Sequence, residues 1–86
     1  MHYQVLFSRK AHKEFKKLPH EIKSRIDEAI QKKLYKSPGE YLIPLSGTLS
    51  GLYKFRVGNY RLVCKREQEK LIILVLTVKH RKEVYK

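Results

Sequence analysis

A chain of 86 residues has interior enough for one domain, expected to span 1–86, because a second would lack a core to bury. Hydrophobic residues make up 42% of it, which supplies a small core and argues against wholesale disorder, while the longest apolar run, Leu71 to Leu76, falls far short of the ~20 residues a membrane span requires. Twenty Lys and Arg against eight Asp and Glu leave a net charge of +12, and self-repulsion of that size points to a polyanionic partner, most simply nucleic acid.

The opening Tyr3-Gln4-Val5-Leu6-Phe7 reads as a short strand. Ser8 stands where a helix N-cap belongs, since its side-chain oxygen can accept from a free backbone N–H. Phe7, Ala11, Phe15 and Leu18 then recur at helical spacing, with Arg9, Lys10, Lys13, Lys16 and Lys17 filling the other faces. Pro19 breaks the backbone bonding but suits a first turn, so a second helix is expected from there, with Ile22, Ile26, Ala29, Ile30 and Leu34 on one stripe and Ser37-Pro38-Gly39 as its stop. The stretch from Tyr41 to Gly51, with Pro44, Gly47 and Gly51, reads as an irregular connection.

Three strand signals follow, over Leu52–Val57, Tyr60–Lys65 and Leu71–Val78. Gly58-Asn59 separates the first two by two residues that tolerate positive φ, a strong hairpin signal, and Arg66 to Lys70 is a polar turn before the third. That third strand is apolar on both faces and belongs in the sheet's interior; the tail is expected to run from Lys79 to Lys86. The predicted fold is α+β in the order β-α-α-β-β-β, a helical hairpin on one face of a small, mainly antiparallel sheet, ending in a short turn or helix.

Alternation along the strands puts Lys54 and Arg56 on the face away from Phe55, and a two-residue loop sets Arg56 opposite Arg61. Like charges directly opposite in a sheet are destabilising, so a chain selected for stability alone would avoid that pair. A phosphate lying between the cations converts the repulsion into charge-assisted hydrogen bonds. His80 and Arg81 follow the third strand, and Tyr85 lies four residues past Arg81, within reach if the tail makes a helical turn.

Other chemistries fail on inventory. Asp27 is the only aspartate, and neither a Gly-x-Ser-x-Gly elbow nor a phosphate-cradling glycine loop is present. His2, His12, His20 and His80 lack metal-ligand spacing, and the single Cys64 excludes an internal disulfide or a cysteine-built metal site, so neither metal nor cofactor is expected. Cys64 alternates inward with Tyr60 and Leu62 and is read as packing. Met1-His2-Tyr3-Gln4-Val5 has no signal-peptide apolar core, so a cytoplasmic location without a membrane partner is expected.

The run Leu52-Tyr53-Lys54-Phe55-Arg56-Val57-Gly58-Asn59-Tyr60-Arg61-Leu62-Val63 closely resembles the central hairpin of RelE-type toxins of bacterial and archaeal toxin–antitoxin systems. Pro44-Leu45-Ser46-Gly47, the ending Val78-Lys79-His80-Arg81-Lys82-Glu83-Val84-Tyr85 and the early Ala11-His12-Lys13-Glu14-Phe15-Lys16-Lys17-Leu18 resemble the same family, in the same order. The resemblance implies a toxin that enters the ribosomal A site and cuts translated mRNA without a metal. It assigns Lys54, Arg56, Arg61, Arg81 and Tyr85 to catalysis, with His80 as a further candidate, and leaves Arg9, Lys10, Lys13, Lys16 and Lys17 to grip ribosomal RNA.

In that chemistry the 2′-OH attacks its adjacent phosphate and the 5′-oxygen leaves, which calls for a proton acceptor, cations on the phosphate oxygens and a proton donor. Lys54 can accept a proton only when neutral, a form that cationic neighbours favour. Arg56 stands where the best-known member of the family has a second lysine, and guanidinium is a poor proton acceptor, so which group is base and which is acid stays open. The resemblance also implies a cognate antitoxin covering the basic face, with ribosome and mRNA as the other partners. Two alternatives stand beside it. One is a ParE-type toxin, similar in fold but inhibiting DNA gyrase without nuclease activity; the other is a non-catalytic basic RNA-binding module.

Overall fold

A computed structural model describes residues 3–80 of the chain. Strand β1 (Gln4–Phe7) leads into helix α1 (Arg9–Lys16), and helix α2 (His20–Ala29) runs on into a widened π turn over Ile30–Leu34. A one-turn helix α3 (Pro38–Tyr41), a two-residue strand β2 (Ile43–Pro44) and a 3-10 turn (Gly47–Leu49) precede β3 (Tyr53–Val57), β4 (Tyr60–Glu67) and β5 (Ile72–His80). The strands form one sheet in the order β1-β5-β4-β3-β2, with β1 parallel to β5 and the remaining pairs antiparallel. This is the predicted α+β architecture, and β5 lies inside the sheet as its apolar sequence requires.

Ile26, Ile30 and Leu34 from the second helix and Ala11 from the first pack on Phe55, Val57, Leu62, Cys64, Ile73, Val75 and Val78, so one sheet face carries the core. Ile22, Ile26, Ile30 and Leu34 repeat strictly every four residues, a spacing that drifts about 40° per step on a helix of 3.6 residues per turn. The wide turn, closed by the Tyr35 N–H donating to the Ile30 carbonyl at 3.1 Å, takes back that drift and keeps Ile30 and Leu34 on the buried stripe. Phe7 and Phe15 meet edge to face, with centroids 5.3 Å apart, and fasten α1 to the end of β1.

Three expectations are corrected. Tyr41 to Gly51 is not wholly irregular, because Ile43 and Pro44 pair with Lys54 and Tyr53 as a short edge strand, a position where a proline's missing N–H costs no ladder bond. Pro38 ends one helix and also opens the next, as the N1 position permits. Lys79 and His80 belong to β5, paired with Arg61 and Tyr60, and so do not begin a tail. The hairpin turn is as expected, with positive φ confined to Gly58 at +58°, its first central residue, as in a II′ turn. Arg81 and Tyr85 lie outside the described residues.

Strand β5 carries an irregularity that the whole edge of the sheet is built around. Val63 pairs with Thr77 and Cys64 with Val75, which leaves Leu76 as an extra residue, a β-bulge. Before it Ile73 and Val75 face the core; after it Val78 does, and Thr77 and Lys79 turn to the opposite face. Helix α1 holds the bulge at two points. The Ser8 hydroxyl donates to the Leu76 carbonyl at 3.0 Å while accepting from the Ala11 N–H at 3.1 Å, so a single hydroxyl caps the helix and pins the strand. The Glu14 carboxylate accepts from the Val78 N–H at 2.9 Å and the Thr77 hydroxyl at 2.8 Å, and pairs with Lys79 at 2.6 Å. Strand β1 ends at Phe7, so Glu14 supplies the acceptor that a longer β1 would have offered.

Burial raises the Glu14 pKa, but the Lys79 ammonium, the Val78 N–H and the Thr77 hydroxyl together outweigh it, and the carboxyl sits below its ordinary value. A depressed carboxylate contributes stability above its unfolded pKa and loses it as pH falls through the folded one. Glu14→Gln is therefore expected to lower stability by about 1–3 kcal/mol at neutral pH. Its melting temperature should also fall less than that of the wild type between pH 6 and roughly pH 3, measured by thermal unfolding across that range.

Candidate functional site

The face of the sheet opposite the helices divides into two halves. Toward β1 it is mixed, with Leu6 opposite Leu74, Gln4 opposite Ile72, and Lys65 and Glu67 on the other side of Leu74 and Ile72; toward β3 it is cationic. Arg56 pairs with Arg61 as the sequence predicts, and Arg61 in turn pairs with Lys79, so three cations from three strands share one rung. Lys54 stands one rung away, paired with Val63, which is paired with Thr77. Neighbouring side chains on such a rung have Cβ atoms about 4.5–5.5 Å apart, the separation at which like charges oppose one another.

Of these side chains Arg56 is exposed and Lys54, Arg61 and Lys79 are half-buried. Glu14 pairs with Lys79 at the outer end of the row, which neutralises it in part and orients its ammonium. Glu28 on α2 pairs with Lys32, in a depression that Arg56 also lines, and Glu67 approaches Lys65 and Lys70 at the far end of β4. Among the described residues Glu14 is a carboxylate at the row's flank, and Arg56 and Arg61 present guanidinium groups suited to gripping the oxygens of a phosphate. Arg9, Lys10, Lys13, Lys16 and Lys17 are all exposed along α1, as expected of a solvated or RNA-facing surface.

The structure joins Lys54, Arg56 and Arg61 on one face but sends His80 to the other. Its ring lies edge to face with Tyr60, centroids 5.1 Å apart, against the helical side of the sheet. The cause is the bulge at Leu76, which makes His80 share the face of Val78 while Lys79 joins the cations. The sequence reading ended the third strand at Val78 and began the tail at Lys79, so Lys79 was not singled out; simple alternation from Ile73 and Val75 would in any case put it inward. Glu14 was missed as well: it stands among lysines in a helical segment, and only the fold brings it to the Val78 N–H. Among the described residues no three His, Cys, Asp or Glu side chains converge as metal ligands, and no helix is long and apolar enough to cross a membrane.

The chain belongs to the RelE/ParE superfamily of toxins from type II toxin–antitoxin systems: residues 5–85 match the family described as ParE toxin of type II toxin–antitoxin system, parDE. It is similar to Toxin RelG of Mycobacterium tuberculosis (strain ATCC 25618 / H37Rv), 31% identical over 86 residues, covering 100% of this chain and 99% of the relative. Its fold is similar to a chain in the toxin–antitoxin complex RelBE2 of the same organism, with a TM-score of 0.87 and 31% identity over 94% of this chain and 93% of that one. It also resembles a chain of the archaeal RelE–RelB complex from Pyrococcus horikoshii OT3, with a TM-score of 0.74 and 28% identity over 94% and 97% of the two chains.

Cys64 is fully buried in the core, and burial pushes its thiol up to about 12. Iodoacetamide at pH 8 is expected to leave it unmodified in the folded protein and to alkylate it on unfolding in guanidinium, as mass spectrometry would show. Arg56→Ala removes one member of the repelling pair, so its melting temperature should equal that of the wild type or exceed it by up to about 4 °C.

Proposed function

We propose that this toxin is a ribosome-dependent, metal-independent endoribonuclease that cuts mRNA in the ribosomal A site and so halts translation in the cytoplasm. The observation that carries the reading is the rung Arg56–Arg61–Lys79 beside Lys54, a cationic row maintained against its own repulsion on an open sheet face. Similarity to Toxin RelG and to the RelE chains supports it. Arg61 and Arg56 hold the non-bridging oxygens of the scissile phosphate, where negative charge builds as the 2′-OH attacks. Lys54, in its neutral form, takes the 2′-OH proton, and a protonated group beside the row returns one to the departing 5′-oxygen.

Arg81 and Tyr85 complete the site in this reading, Arg81 on the phosphate or leaving oxygen and Tyr85 stacking on a base. The exposed basic residues of α1 bind ribosomal RNA, and the ribosome's positioning of the mRNA supplies the orientation that a site without a strong base needs. A cognate antitoxin is the remaining partner, as the RelBE2 and RelE–RelB complexes of its relatives suggest. Its amphipathic, acidic segment covers the open sheet face, with apolar residues on Leu6 and Leu74 and carboxylates on the cationic row.

A second reading rests on the family match itself, which is to the ParE toxin: inhibition of DNA gyrase without nuclease activity. The two separate on programmed ribosomes. Primer extension is expected to show cuts within the A-site codon, little cleavage of the same RNA without ribosomes, and a loss of about 10²-fold or more in Arg61→Ala. Intact mRNA with gyrase-dependent DNA breaks would favour the second reading instead. Ribosome binding should also weaken by roughly 0.7 to 0.9 log units per tenfold salt for each phosphate contacted, read from affinities between low and physiological ionic strength.

A further inference from the structure

Opposite the cationic row, on the helical side of the same sheet end, a cavity of about 300 Å³ opens between α2 and the β3–β4 turn. Its walls are Ile22, Ile26 and Val57, closed at one side by the Tyr60 and His80 rings, which stand at 89° to each other. Arg25 and Asn59 lie at its lip, and the Arg25 guanidinium rests against the turn, with Nη1 3.7 Å from where a Cβ on Gly58 would sit. Aliphatic floor, aromatic side and a polar rim of amide and guanidinium are the elements by which proteins hold an unstacked nucleobase: a ring face to stack on and donors and acceptors for the base edge.

The surroundings favour RNA over an apolar protein anchor. One neighbouring depression is lined by Lys17 and Lys79, the other by Arg25, Lys32, Lys33 and Arg56. The carboxylates there already have partners, Glu14 on Lys79, Thr77 and Val78, and Glu28 on Lys32. The slot is thus flanked on both sides by cations, which suits a strand whose phosphates run past its mouth. Consecutive residues also tie the two faces together: Arg56 and Val57, Tyr60 and Arg61, Lys79 and His80 each place one side chain on the row and the next at the slot.

We propose that this slot binds a base of the mRNA next to the scissile nucleotides and thereby sets codon preference, with Tyr60 and His80 as the stacking wall and Asn59 and Arg25 reading the base edge. The proposal rests on the ribonuclease reading above and adds to it a specificity site, distinct from the catalytic face. His80 in this arrangement acts in recognition.

Two measurements test it. On ribosomes programmed with mRNAs differing only in the A-site codon, Ile22→Trp, which fills the slot, and Asn59→Ala, on the exposed turn, should each compress the spread of cleavage rates between best and worst codons by at least about tenfold and fivefold, leaving the worst codon within about twofold of wild type. Retention of the wild-type spread by both variants, or an equal loss on all codons, overturns the proposal. The second measurement needs no cleavage. A short single-stranded RNA carrying 2-aminopurine at one position at a time should be quenched at one position only, in wild type and in Lys54→Ala, and not in Ile22→Trp that melts as wild type does. Quenching without mRNA cleavage by the wild type would sink the ribonuclease reading and leave the slot standing; no quenching at any position overturns the slot. So does an Ile22→Trp that loses only neutralisation by an acidic antitoxin peptide, since the slot then holds a protein side chain.

Discussion

The extra residue at Leu76 governs how this small sheet presents its charges. A regular β5 would carry Lys79 toward the core with Ile73 and Val75, where an ammonium could not be sustained without a partner. The bulge reverses the alternation, so Val78 continues the core, Lys79 joins Arg56 and Arg61 on the open face, and His80 meets Tyr60 on the other. Bulges bend strands and leave backbone groups unpaired, and this one is satisfied by two side chains of a single helix. Ser8 takes up the Leu76 carbonyl and Glu14 the Val78 N–H, so α1 does for the last third of β5 what β1 does for the first part.

A consequence is that the cationic row is built into the fold's supports. Glu14 is at once the edge acceptor of β5 and the counter-charge of Lys79, joining helix, bulge and row through one carboxylate. The repulsion between Arg56 and Arg61 is opposed by the packing beneath it, since Phe55, Val57 and Leu62, on the same two strands, are all buried against the helices. A core of this size offsets a modest surface cost because burying each of these side chains contributes about 1.5–3 kcal/mol, against less than 1 for an exposed pair of like charges.

The two faces also differ in what they can recognise. On the open face, apolar Leu6 and Leu74 adjoin cations, a surface suited to an amphipathic partner or to a nucleic-acid backbone. The helical side at the hairpin tip is concave and aromatic, suited to something flat. That one short hairpin serves both follows from the period of a strand, in which adjacent residues face opposite ways. The type II toxin family to which the chain belongs fixes neither substrate, so these surfaces carry the functional argument.

Local signals in the sequence determined most of the framework. Ser8 at the cap, the four-residue stripe from Ile22 to Leu34, the Gly58-Asn59 turn and the apolar run of β5 each act over a few residues, and the Arg56–Arg61 pairing follows from the length of the turn alone. The short strand at Ile43 and Pro44 was not legible, because two residues carry no period and their pairing depends on the neighbouring edge of β3. Neither was the bulge. Nothing in the order Val75-Leu76-Thr77-Val78 announces an extra residue, and the side chains that hold the strand there, Ser8 and Glu14, lie more than 60 residues away in sequence. The sequence therefore determined which side chains are available at the end of the sheet; the tertiary structure decided their faces, adding Lys79 to the cationic row and keeping His80 from it, since the direction of a strand side chain depends on every residue counted before it.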